Sequence, residues 1–108
     1  VARRIKDDLL RDALGFALLE RRDELGLSQL QIANRCVSEL SQSRIAHLES
    51  GDQSCTVDQL WALASALEVT PSELARRIES AYALLKDPDN RRLFWLGRAR
   101  VRGTTLRR

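Results

Sequence analysis

The sequence predicts an all-α fold, and three observations carry that reading. Apolar residues recur at helical spacing, and no stretch shows the two-residue alternation of a half-buried strand. Several Ser, Thr and Asp residues stand directly before those apolar stretches, with Gln, Glu or Pro where a helix cap is completed. The links between segments run to roughly two to six residues, as in compact helical domains. With 108 residues, 44% hydrophobic and 31% charged, the chain has the size and composition of one soluble globular domain.

The first helix is predicted over residues 5–25. Leu9, Leu10, Ala13 and Leu14 continue the apolar stripe of Ala17, Leu18 and Leu25, while Gly15 weakens the middle and leaves a kink or a break open. Gly26 closes it, since glycine accepts the left-handed conformation of a helix C-terminus. Ser28-Gln29-Leu30-Gln31 is a capping box that starts a helix over 28–36, and the next is expected over 42–50, closed by Gly51. Thr56-Val57-Asp58-Gln59 and Thr70-Pro71-Ser72-Glu73 are two more capping boxes, opening helices over 57–67 and 71–86. Asp87-Pro88 adds a last start, with Asp as N-cap and Pro at the first helical position, for a helix over 88–99.

Net charge is +3, but it is unevenly placed. Residues 1–87 hold 11 Lys/Arg against 14 Asp/Glu, whereas residues 88–108 hold seven Arg and one Asp. The basic surplus is therefore entirely C-terminal. No apolar run approaches the roughly 20 residues that span a bilayer, and the first residues lack the apolar core of a signal peptide, so no membrane association and a cytoplasmic location are expected. Cys36 and Cys55 lie in no metal-ligand spacing and suggest no disulfide framework. His47 is the single histidine, and there is no phosphate-binding loop or cofactor fingerprint. No enzyme activity, metal or cofactor is expected.

Residues 27–51 read as two short capped helices joined by a tight link, which is helix-turn-helix geometry. Ile32, Ala33 and Cys36 share one face of the first, Ile45 and Leu48 one face of the second, and these faces are expected to pack together with Ala33 allowing close approach.

Over about residues 13–75 the succession Leu18, Arg22, Gly26-Leu27-Ser28-Gln29, Ile32-Ala33, Ile45, Leu48-Glu49-Ser50-Gly51, Leu60, Leu63-Ala64, Leu67 and Leu74 resembles the phage-repressor-like, Cro/Xre-type helix-turn-helix family. The resemblance implies a lambda-repressor-like five-helix DNA-binding domain, here with an N-terminal helical extension over 1–12. Beyond it, the sequence itself gives C-terminal helices over 76–97 and a basic tail over 98–108. In such domains the third helix enters the major groove, usually of a two-fold dimer on a pseudo-palindromic operator.

Carried over position by position, the resemblance makes Ser28 and Gln29 phosphate anchors and Ser41 the cap of the reading helix. It places Gln42, Ser43, Ala46 and His47 against base edges and Arg44 at the groove margin, with Gln42 suited to a bidentate pair with adenine. It implies a partly buried structural ion pair between Arg22 and Glu49. Two departures stand out. Val37-Ser38-Glu39 lengthen the turn and replace its glycine, with Leu40 left to fill the apolar slot beneath it. The loop Asp52-Gln53-Ser54-Cys55 has no Lys or Arg for phosphate, leaving Gln53 and Ser54 as neutral donors.

Leu60, Trp61, Leu63, Ala64 and Leu67 read as core or interface. Leu93-Phe94-Trp95-Leu96, with Tyr82 upstream, is too apolar for water and is expected at a homodimer interface, with packing inside the protomer as the alternative. The Arg98, Arg100, Arg102, Arg107 and Arg108 tail is open to three readings: a solvated tail, an arm on phosphates or the minor groove, or a site for an acidic protein. The functional expectation is a sequence-specific transcriptional regulator, a repressor acting on double-stranded operator DNA as a homodimer in the bacterial or phage nucleoid. The alternatives are an antitoxin whose terminal helices hold a toxin, and an interaction module that has lost DNA binding.

Overall fold

The computed structural model describes residues 8–36 and 40–96. Six helices follow in order, α1 (Asp8–Leu25), α2 (Gln29–Arg35), α3 (Gln42–Glu49), α4 (Val57–Ala66), α5 (Pro71–Leu85) and α6 (Pro88–Leu96), and the described residues contain no strand. The expected turn residues Val37-Ser38-Glu39, residues 1–7 and the tail from residue 97 lie outside the described residues.

The capping chemistry explains why the helices begin where they do. Ser28 Oγ accepts from the Gln31 amide at 3.1 Å while Gln31 Oε1 accepts from the Ser28 amide at 2.8 Å, and Thr56 and Gln59 repeat the exchange at 3.1 and 3.0 Å. At Thr70 only the first half forms: its hydroxyl accepts from the Glu73 amide, and the Glu73 carboxylate turns toward Arg77. Gly26 and Gly51 close their helices at φ of 68° and 80°. The end of α4 does the same without glycine, because Glu68 takes φ of 61° and its carboxylate accepts from Arg35 at 2.9 Å.

α1 packs against both α5 and α3. Gly15 does not break it: the helix is continuous, and the glycine is buried where α1 crosses the last turn of α3. A Cβ at position 15 would stand 2.5 Å from the Glu49 carbonyl oxygen and 2.8 Å from that of Leu48. The residue is therefore a requirement of close approach. Ile32 of α2, Ile45 and Leu48 of α3, Leu63 and Leu67 of α4 and Leu74 of α5 gather with Leu14, Leu18 and Leu40 into the main core.

A second cluster of Leu19, Leu85 and Phe94 docks α6 on α1 and α5. Beside it Asp12, 1% exposed, accepts from Arg91 Nε at 2.9 Å and Trp95 Nε1 at 3.2 Å. On the outer side of α1, Arg77 donates twice to Glu24 and holds its carboxyl below the usual carboxylate range against a smaller opposing effect of burial. None of the described helices is long and apolar enough to cross a membrane.

Candidate nucleic-acid interface

α3 is eight residues long and is anchored by one face only. Ile45 and Leu48 are buried at 1% and 0% exposure beneath it, which turns the opposite side outward. Ser41 caps the helix, its hydroxyl accepting from the Arg44 amide at 3.0 Å. Gln42, Ser43 and His47 are exposed and Ala46 is half-buried between them. His47 turns Nδ1 toward Asp52, 3.5 Å away, which leaves Nε2 as its outward polar atom.

The C-terminal end of α3 is fixed through Glu49. Arg22 Nε and Nη2 donate to the two Glu49 oxygens at 2.8 and 3.0 Å, and Arg22 Nη1 donates to the Leu27 carbonyl at 2.9 Å. Gln29 Nε2 donates to Glu49 Oε1 at 2.9 Å, so one hydrogen of that amide is committed to the protein and the second is not. This two-pronged geometry joins α1, the start of α2 and the end of α3 in one network.

The N-terminal half of α3 is held differently. Arg44, expected at the groove margin, turns back onto the following loop and α4. It donates to Gln53 Oε1, to the Ser54 carbonyl at 2.8 Å and to Gln59 Oε1 at 3.2 Å. Its guanidinium is thus spent inside the protein, with half-buried Gln53 as one of its acceptors. Burial pushes the Cys55 thiol up despite the neighbouring Arg44 cation, and it pushes up Cys36 as well, so neither thiol is activated. The described residues contain no cluster of three or more metal-ligating side chains.

The apolar C-terminal residues divide. Phe94, expected at a dimer interface, is 2% exposed and packs edge-on against Phe16 with ring centroids 5.8 Å apart. It belongs to the protomer's own core, because on a helix only one side of the run Leu93-Phe94-Trp95-Leu96 can face α1. Leu93, Trp95 and Leu96 remain 37%, 46% and 69% exposed, and Tyr82 is half-buried beside Lys86. A second apolar pair, Val57 and Trp61, stands one turn apart on the outer face of α4 at 68% and 58% exposure. Trp61, expected in the core or at an interface, thus lies outside the core, unlike its neighbours Leu63, Ala64 and Leu67.

A family model described as helix-turn-helix matches residues 18–74, more than half of the chain and the span that carries this geometry. The chain belongs to the Cro/Xre-type helix-turn-helix family. A solved structure, the clp gene regulator ClgR from Corynebacterium glutamicum, is similar with a TM-score of 0.66 at 25% identity, over 80% of this chain and 92% of that one. No curated protein matches the sequence. Family and structural likeness together make this helix-turn-helix protein a DNA-binding transcription regulator.

Proposed function

We propose that the protein recognises a pseudo-palindromic operator as a homodimer, inserting α3 into the major groove and repressing transcription by occupying promoter DNA. The observation that carries the reading is the exposed polar face of Gln42, Ser43 and His47 on a helix whose two ends are held by separate side-chain networks. A reader must be presented rigidly, because base-edge hydrogen bonds depend on direction and reach. Gln42 is the principal reader, pairing with adenine N6 and N7. His47 offers Nε2 to a second base, and Ala46 leaves room for a thymine methyl group.

Phosphate contacts orient the protein without specifying sequence. Gln29 supplies one through the amide hydrogen that Glu49 does not take, and Ser28 and Ser41 supply hydroxyls at the exposed helix starts. Between residues 28 and 51 the two Arg and two Glu cancel, so the reading segment is formally neutral and its specificity rests on hydrogen bonding. Two-fold association is supported by apolar side chains exposed in two places, Leu93, Trp95 and Leu96 on α6 and Val57 and Trp61 on α4.

The test is selection from random duplexes with the full chain. The expected product is an inverted repeat with half-site centres about 34–36 Å apart, the spacing that two-fold helix-turn-helix dimers impose. Enrichment of no motif overturns the reading, and enrichment of a single half-site overturns the dimer.

A further inference from the structure

The loop between α3 and α4 runs beside the reading helix yet carries no cation, and Arg44 of α3 is turned back onto it. Three acceptors on two separate elements hold its guanidinium: Gln53 and Ser54 on the loop, and Gln59 in the first turn of α4. Gln59 Oε1 also accepts from the Thr56 amide at 3.0 Å, so Arg44 is tied into the capping box that starts α4. Its Nε is buried with no partner. Reaching a phosphate would break these bonds, and the loop would lose what shapes it.

The contact with Gln53 has a directional consequence. A carboxamide presents its oxygen and its nitrogen to opposite sides, so binding the oxygen to Arg44 turns the nitrogen and its two hydrogens away from the guanidinium. That nitrogen has no partner among the described residues. The pull of a cation on the oxygen also polarises the amide and strengthens its N–H groups as donors. Arg44 lies in the first turn of α3 and ties Gln53 to the helix that carries Gln42 and Ser43, which in the proposed complex is flanked by the DNA backbone. Asp52, the neighbouring anion, is turned toward His47.

We propose that Gln53 is a phosphate contact of the operator complex and that Arg44 is the positioning residue behind it, supplying orientation and polarisation without touching DNA. The inference rests on the proposed reading of DNA by α3. It makes the loop an anion-binding element with no exposed cation, and it reassigns Arg44 from the groove to the loop.

Fluorescence anisotropy on the full chain, with the selected operator and a random duplex over a range of salt, tests this. Q53A is expected to weaken both duplexes about tenfold per protomer, the scale of one charge-assisted hydrogen bond, and so about a hundredfold for the bound dimer. R44A is expected to do the same, and the double variant to be no weaker than the worse single, because one relay is removed either way. The dependence of log K on log salt is expected to change by less than about 0.3 in R44A, whereas a direct phosphate pair in each protomer would remove about 1.8 for the dimer. R44K keeps the charge but not the fork and is expected to behave as R44A, which covers the case in which R44A does not fold. Q53E strengthens the contact to Arg44 while removing the donors, so it is expected to melt no lower than wild type and to bind DNA worse than Q53A. A double variant weaker than the worse single by about a further hundredfold, a slope change of about 1.8, wild-type binding by R44K, or wild-type binding by Q53E each overturns the proposal. Equal affinity of wild type for operator and random duplex is a different failure, that of the α3 reading itself.

Discussion

Arg22 grips the C-terminal end of α3 through a buried carboxylate, whereas Arg44 grips its first turn through neutral oxygens of the loop and of α4. The side chains of Arg22 and Glu49 are 17% and 5% exposed, and Gln29 and the Leu27 carbonyl fill the remaining places around them. Arg44 instead donates to neutral acceptors, two carboxamide oxygens and a backbone carbonyl. The difference is one of consequence. A buried charge stripped of its partner is left uncompensated, so the first network is bound to folding, while a cation on neutral acceptors near the surface can fall back on water. The same helix is thus secured at one end as part of the core and at the other as part of the binding surface.

The largest effect is expected where the two ends differ most. Glu49→Ala leaves Arg22 unpaired and removes an acceptor of Gln29, and should cost about 3–5 kcal/mol, a large share of the stability of a domain this size. Urea denaturation checks it, and operator binding should fall with it. Glu49→Gln sharpens the comparison, because it keeps an acceptor for Arg22 and removes the charge.

Gly15→Ala should come next. The added Cβ meets the Glu49 and Leu48 carbonyl oxygens under 3.0 Å, and backbone cannot swing aside as a flexible side chain does. Overpacking of this kind costs about 1–3 kcal/mol. Because the strain falls on the same end of α3 as the ion pair, binding to operator should weaken beyond what the melting temperature accounts for. A Gly15→Ala protein with wild-type stability and affinity would mean that α1 does not set the position of α3.

Much of this was legible beforehand, for reasons that are local. The caps at Ser28, Thr56 and Thr70 and the stops at Gly26 and Gly51 depend on residues three or four apart, and the sequence displays them directly. Burial of Ile45 and Leu48 followed from their spacing. The contact of Arg22 with Glu49 spans 27 residues and came only from the family pattern.

What was hidden depends on neighbours brought in by the fold. Gly15 is read from sequence as a weak point, since nothing nearby shows the carbonyls it must clear. The family pattern puts Arg44 at the groove margin, because it assigns a position on the helix and does not show the loop that folds over to receive the side chain. Glu68 closes α4 at positive φ where a glycine would have been recognisable, held there by Arg35 from another helix. Asp12, an acidic residue on an amphipathic helix, looks solvated until α6 covers it with Arg91 and Trp95.

The central claim is that α3 reads sequence through its exposed polar face, and Gln42 tests it most directly. Titration of wild-type and Gln42→Ala proteins against the selected operator and its single-base variants, at one salt concentration, separates reading from mere attachment. The account predicts that Gln42→Ala loses about 1–3 kcal/mol of discrimination at one base pair in each half-site, with discrimination elsewhere and the melting temperature unchanged. A Gln42→Ala protein that keeps the wild-type preference at every position would contradict it.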